Sequence, residues 1–266
     1  MTRAGVASMV AAVVLIVGRA APRAADPPVD DEQQIGQEVF NELKARVEII
    51  GTSPLYDVLR PIAAPIVKTA QPRYKHPFTL YLVHEPRPNA FASPGGNVYV
   101  TDQLLYFAKN TEELAGTLCH EFAHTIRHDT MTLIEEQRRL ARRGIGAAIL
   151  LGPSPAKVLA ISLLGKLTSL SYSRDVEAET DLAGADLCAA SGSNPWGLVW
   201  LFQDFDRSDS ERVPQLVSDH PDNARRVEAL RAHFRQSPAT FGAFSSDIAR
   251  ARPLTVPKDA PVVFVR

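Results

Sequence analysis

His120, Glu121 and His124 form the series H-E-x-x-H inside 111–127, a stretch with helical periodicity throughout. Residues four apart lie one turn above each other on nearly one face of a helix, so both imidazoles can reach a single metal ion. Glu121 is turned about 100° around the axis, beside that ion and not aimed at it. That placing suits a carboxylate that takes a proton from water at the metal. The chemistry implied is hydrolysis assisted by one Zn2+ per chain. A helix whose histidines merely face water is the competing reading. Leu114, Ala115, Leu118, Phe122 and Ile126 weigh against it, because they recur at helical spacing and give the segment a face to bury.

Two histidines are half a zinc site, and the third ligand has to come from elsewhere. His128 lies about 12 Å along the axis from His120 at 1.5 Å per residue, out of reach of the same ion. Arg127 stands where a metzincin places the glycine that turns the chain back. The richer source is 171–184, where Glu177, Asp181, Gly184 and Cys188 follow at i, i+4, i+7 and i+11 and share a helix face. Two carboxylates beside a glycine and a thiol make sense if that face packs on the histidines. Glu177 is then expected on zinc, with Asp181 as the acceptor that orients a ligand imidazole and Glu179 as the alternative ligand. Cys119 and Cys188 are the only thiols, one on each of these helices. Two buried small apolar groups are preferred here over a disulfide, since Cys119 is rotated off the ligand face.

The elements that must hold these residues follow from periodicity. Helices are expected over 30–50 and 54–70, then a strand from Phe78 to Val83. Pro94-Gly95-Gly96 is a turn, and Asn97, Val98, Tyr99, Val100 and Thr101 alternate as a second strand. That strand is expected to pair with the first in hairpin fashion and to offer a free edge to an extended peptide. An internal strand with no free edge is the alternative. A short helix should cover 102–108, and the metal-binding helix should start at a cap on Asn110 or Thr111 and run to Arg143.

Arg138, Arg139, Arg142 and Arg143 precede the apolar 145–151. A charged face followed by a core segment is the simpler explanation. Peripheral contact of 138–151 with an anionic membrane is the other. Pro153 and Pro155 prevent 144–170 from spanning a bilayer as one helix. His220, in Ser218-Asp219-His220-Pro221, opens a last helix over 222–234.

The chain has 266 residues, is 45% hydrophobic and carries a formal net charge of -1. This is globular composition without the basic footprint of a nucleic-acid partner. Residues 1–25, with Arg3, an apolar 5–18 and small residues after it, read as an export signal or an N-terminal anchor. Export leads to an oxidising compartment, and the expected location is the periplasm. Residues 26–236 form the expected zinc-hydrolase domain, α+β and predominantly helical with a small sheet next to the zinc helix. After Gln236 no periodicity is legible, and 237–266 is expected to be an irregular tail.

Four ordered stretches carry a resemblance: N-A-F-A-S-P-G-G over 89–96, H-E-F-A-H-x-x-x-H over 120–128, S-R-x-x-E-x-E-x-D over 173–181, and S-D-H-P over 218–221. Together they resemble the HtpX and CAAX-prenyl-protease family of zinc metallopeptidases, and within it the soluble exported members. The resemblance implies a gluzincin fold and endopeptidase activity on unfolded or misassembled envelope proteins. It implies His120, His124 and Glu177 on zinc, with Glu121 as the base. It also brings the His220 loop near the metal, as an oxyanion donor or a fourth ligand. Thr180 departs from the family's alanine, and neither a tetratricopeptide domain nor paired membrane spans are recognisable. The rival of another class is a zinc-stabilised chaperone or binding module, or a latent protease, that holds clients uncut.

Overall fold

The computed structural model describes residues 30–46, 48–142, 172–207 and 223–266. The export segment 1–25, the apolar 144–170 and His220 lie outside the described residues. Helix α1 (Asp31–Ala45) is capped by Asp30 and leads into strand β1 (Ile49–Thr52). The expected continuation of helix to Ile50 is therefore corrected: Ile49 and Ile50 are strand residues, paired with Val83 and Leu82. Helix α2 (Leu55–Ala70) follows and keeps Pro61 and Pro65 within it.

Strands β2 (Thr79–Val83), β3 (Ala90–Ser93) and β4 (Asn97–Thr101) complete the central sheet, whose order is β3-β4-β2-β1-β5 with β5 at Val263–Phe264. Two expectations change here. The hairpin joins β3 to β4, with Ala92 opposite Val98, while β2 and β4 run parallel. Gly95 and Gly96 make the tight reversal, at φ +83° and +88° that only glycine adopts without strain. Asn97, Val98, Tyr99, Val100 and Thr101 are thus an inner strand paired on both sides, and their backbone cannot receive an added peptide. The reason this was not legible is that 90–93 is buried at every position, so it lacks the alternation that marks a strand. The outermost strand on this side, among the described residues, is β3.

Helix α3 (Asp102–Phe107) leads to α4 (Thr111–Ile126), where Asn110 accepts the Glu113 N–H as N-cap. The expected single helix to Arg143 is two. His128 sits at φ +57°, in the left-handed region, and ends one rod before α5 (Asp129–Arg142) begins. Helices α6 (Arg174–Ser191) and α7 (Trp196–Arg207) pack against α4, and α8 (Asn223–Gln236) packs on α6 and α7. The C-terminal stretch is mostly irregular but returns to the body: Leu254, Val256 and Phe264 join the core, and Thr111 and Leu254 exchange backbone bonds with Arg252 and Lys109. That crossing holds the start of α4 in place. No helix among the described residues is long and apolar enough to cross a membrane.

Candidate active site

Helix α4 is buried along almost its whole length, which puts both histidines and Glu121 out of bulk water at no more than 2% exposure. Leu114, Leu118 and Phe122 anchor it in the main core, with Phe122 edge-on to Phe78 at 4.7 Å. Helix α6 crosses it closely. A Cβ on Gly184 would meet the His120 Cα at 3.1 Å, so a glycine at this crossing lets the two backbones approach. Cys119 and Cys188 are joined by a disulfide at the same crossing, with a Cα separation of 5.6 Å. The expectation of two separate thiols is corrected. Although Cys119 does turn away from the ligand face, it turns toward α6, and its rotation is what permits the bridge.

The crossing brings His120, His124 and Glu177 together. The two Nε2 atoms are 3.0 Å apart, and Glu177 places Oε2 at 3.6 Å from His120 and Oε1 at 3.7 Å from His124. Ligands about 2.0 to 2.2 Å from a tetrahedral ion stand roughly 3.3 to 3.6 Å from one another, so three such atoms fit one zinc ion. Their outer atoms are held as a metal site requires. His120 Nδ1 lies 3.0 Å from Asp181 Oδ1, and His124 Nδ1 lies 2.9 Å from Asp129 Oδ2. The hydrogen bond to Asp129 keeps the His124 proton on Nδ1 and turns its Nε2 lone pair inward, as assigned from this contact, while at His120 the Asp181 carboxylate stands beside Nδ1 as a nearby negative charge. Three electron-rich atoms then face one point, an arrangement that a cation relieves. Metal-ligand geometry of this kind is met by residues His120, His124 and Glu177 together.

Asp181 stands where the sequence led one to expect it. Two of its neighbours did not announce themselves. Arg226 on α8 is buried and grips Asp181 with Nε to Oδ2 and Nη2 to Oδ1, both 2.6 Å, and approaches Glu177 Oε2 at 3.2 Å. Its guanidinium also stacks on Phe202, 4.1 Å from the ring centre. Asp129, the first residue of α5, takes the Thr180 hydroxyl at 2.8 Å as well as His124. Its position directly after His128 was the available signal, while Arg226 lay on an ordinary amphipathic helix. Tyr172 stacks flat on His124 at 4.4 Å and shares a hydrogen bond with Thr130 at 2.8 Å. Glu179, the alternative ligand, is instead exposed and paired with Arg127 at 2.6 Å.

Glu121 lies among these groups with Oε1 lacking any hydrogen-bond partner among the described residues. Burial pushes its carboxyl up to about 8, and the neighbouring Glu177 adds to this. His124, Arg226 and an N–H from Ala92 on strand β3 act the other way. A divalent cation beside it would act in the same lowering sense.

A helix carrying H-E-x-x-H, a glutamate on a second helix at the same point, and a small mixed sheet alongside define a gluzincin-type metallopeptidase fold. The family model for peptidase family M48 matches residues 57–233, and the chain belongs to that family. Among its relatives, the "Beta-barrel assembly-enhancing protease" of Yersinia pestis is 27% identical over 84% of this chain and 48% of its own length. The protein of the same name from Escherichia coli (strain K12) is 26% identical over 94% of this chain and 56% of its own. "Mitochondrial metalloendopeptidase OMA1" of Schizosaccharomyces pombe is 29% identical over 57% and 45% respectively. The chain thus spans about half the length of the curated relatives it matches.

Proposed function

We propose that this chain is a zinc-dependent metalloendopeptidase that cuts unfolded or misassembled polypeptides of the cell envelope. The observation that carries the reading is Glu121, a buried carboxylate with a free oxygen beside a three-ligand metal cluster. A site that only stabilises a fold has no use for such a group. The names of the relatives, a protease of β-barrel assembly and a metalloendopeptidase, support the same class of activity.

In this reading His120, His124 and Glu177 hold the ion, and Asp129 keeps the His124 imidazole in its working tautomer while Asp181 stands beside that of His120. Zinc bound there supplies Lewis acidity, polarising the scissile carbonyl and acidifying a water. Glu121 takes the proton from the attacking water and delivers it to the leaving amine. Peptide is recruited by the β3 edge. The Asn89 carbonyl bonds to Thr101 on β4, so odd-numbered residues face β4 while Ala90 and Ala92 face outward. The Ala92 N–H is directed to Glu121, which leaves its carbonyl and the backbone of Ala90 to pair with an extended chain once this edge, 1% and 4% exposed at Ala90 and Ala92, is uncovered. Pairing through backbone favours unfolded segments over a fixed side-chain signature.

Export to an oxidising compartment is supported by the 1–25 pattern and by the buried Cys119–Cys188 bridge, a bond that reducing compartments do not maintain. The deciding experiment is incubation of the purified chain with an unfolded protein, with and without chelator. Cleavage that stops with chelator and returns with Zn2+ is expected. Clients bound but left intact under all conditions would favour the chaperone reading.

A further inference from the structure

A second convergence of ligand atoms lies where the first turn of α1 meets 74–76. Asp30 uses Oδ1 to accept the Gln33 N–H at 3.0 Å, which leaves Oδ2 facing His76 Nε2 at 3.2 Å. Glu32 uses Oε1 for the Tyr74 hydroxyl and for His128 Nδ1, both at 2.9 Å, which leaves Oε2 at 3.6 Å from the same His76 nitrogen. The His76 side chain is only 9% exposed, and its Nε2 has no hydrogen-bond partner among the described residues. An N–H there would align on one of the two oxygens; it aligns on neither. One atom from each of Asp30, Glu32 and His76 thus faces a common point, all within 4.8 Å of one another. The far atom of each carboxylate is already fixed by protein donors, as the outer oxygens of metal ligands are.

Lys75 shows what the point attracts. Its Nζ lies 2.5 Å from Asp30 Oδ2 and 3.2 Å from Glu32 Oε2, at the end of a side chain that is 56% exposed. A lysine ammonium is a compact point charge on a flexible stem, free to leave for water when a better cation arrives. An open cleft of about 350 Å³ beside it, rimmed by Asp31, Met131 and Glu135, gives a hydrated ion a way in.

We propose that Asp30, Glu32 and His76 form a second divalent-cation site, separate from the His120–His124–Glu177 cluster and loaded as Lys75 swings out. Two carboxylates and one imidazole suit Zn2+ or Mn2+. The ion ties the first turn of α1 to Tyr74 and, through Glu32, to His128 at the end of α4. Its effect falls on the anchoring of α1, and the hydrolytic chemistry stays with the first cluster.

Manganese separates the two sites, because zinc holds the first one against it by the order of divalent affinities. Protein loaded with a single equivalent of Zn2+ and then titrated with Mn2+, read by calorimetry and electron paramagnetic resonance, should take one further equivalent. Lys75→Ala should tighten that equivalent about tenfold or more, since the competing ammonium is gone, and Mn2+ should raise its melting temperature. His76→Asn should lose it while keeping the zinc; if that variant does not fold, Asp30→Asn carries the same expectation. A Lys75→Ala protein that binds no second equivalent at millimolar Mn2+ overturns the site, as does His76→Asn binding it as tightly as the parent.

Discussion

Arg226 holds Asp181 through two parallel bonds of 2.6 Å, and Asp181 in turn lies 3.0 Å from the Nδ1 of His120. A residue on α8 therefore holds in place the carboxylate on α6 that stands beside an imidazole on α4. Removing one partner of a buried ion pair typically costs about 3 to 5 kcal/mol, because the other charge is left buried and unpaired. Arg226→Ala should lower the melting temperature strongly. Arg226→Lys keeps the charge but loses the fork, and should fold yet retain zinc less well. Metal retention after dialysis, compared at equal folded fraction, checks this; a lysine variant that holds zinc like the parent removes Arg226 from the positioning chain.

Glu121→Gln replaces a carboxylate by an amide of the same shape. Zinc should stay bound, since the cluster of His120, His124 and Glu177 is untouched, and cleavage of unfolded protein should fall by on the order of a hundredfold or more, the usual contribution of a positioned base. Glu177→Gln should instead reduce zinc content itself. Measuring both metal and rate on each variant distinguishes the two roles, and cleavage retained by Glu121→Gln would remove it from the mechanism.

The convergence of His120, His124 and Glu177 was legible because helical spacing fixes angles: i and i+4 put His120 over His124, and the same rule put Asp181 and Gly184 on the face of Glu177. Asp181 on that face comes within 3.0 Å of the His120 Nδ1. What was not legible depended on contacts between elements. Strand β3 carries no alternation because both faces are buried, so periodicity alone pairs β4 with β2 as a hairpin and leaves open whether β4 has a free edge. The left-handed backbone of His128, which splits α4 from α5, has no sequence signal of the glycine kind. Arg226 reads as one more basic residue on a surface helix, and only the crossing of α8 with α6 reveals that it is buried.

The Cys119–Cys188 bridge closes a loop with a sequence separation of 69. For a loop of this length the chain-entropy estimate of its stabilisation is about 4 kcal/mol. Replacing both cysteines by alanine should lower the melting temperature by several degrees or more. Because the bridge sits one residue before His120 and on the helix of Glu177, zinc release by chelator should also quicken. Both effects are read by thermal denaturation and chelator kinetics on the purified variant. Unchanged zinc release would show that the crossing at Gly184 holds the ligands without it.

Acid should loosen the first turn of α1 in metal-free protein. Burial alone would raise the Glu32 carboxyl, but hydrogen bonds from Tyr74, His128 and Lys75 outweigh it and hold the group below its ordinary value. His76 and Asp30 face it from the remaining sides. A group whose folded pKa is depressed contributes stability that is present above its unfolded value, about 4.3, and is lost as pH falls through the folded one. Glu32→Gln should therefore flatten the decline of stability below pH about 4.3 relative to the parent. Denaturant titrations at a series of acidic pH values measure this, and parallel curves would contradict it.

The β3 edge makes a prediction about the substrate. If peptide pairs with the outward backbone of Ala90 and Ala92, its own N–H groups opposite those carbonyls are part of recognition, and their removal should weaken binding without touching the ion or Glu121. One hydrogen bond is worth about 0.5 to 1.5 kcal/mol net, so a single N-methyl group on the paired side should lower kcat/KM by about twofold to tenfold. The alternation of an extended strand gives the control. N-methylation of the adjacent residue points the blocked nitrogen away from β3 and should cost much less. A series of otherwise identical peptides, methylated one position at a time and followed by mass spectrometry, should show losses that alternate with period two. Losses that follow side-chain identity instead, with no such alternation, would mean that β3 does not receive the peptide as an added strand.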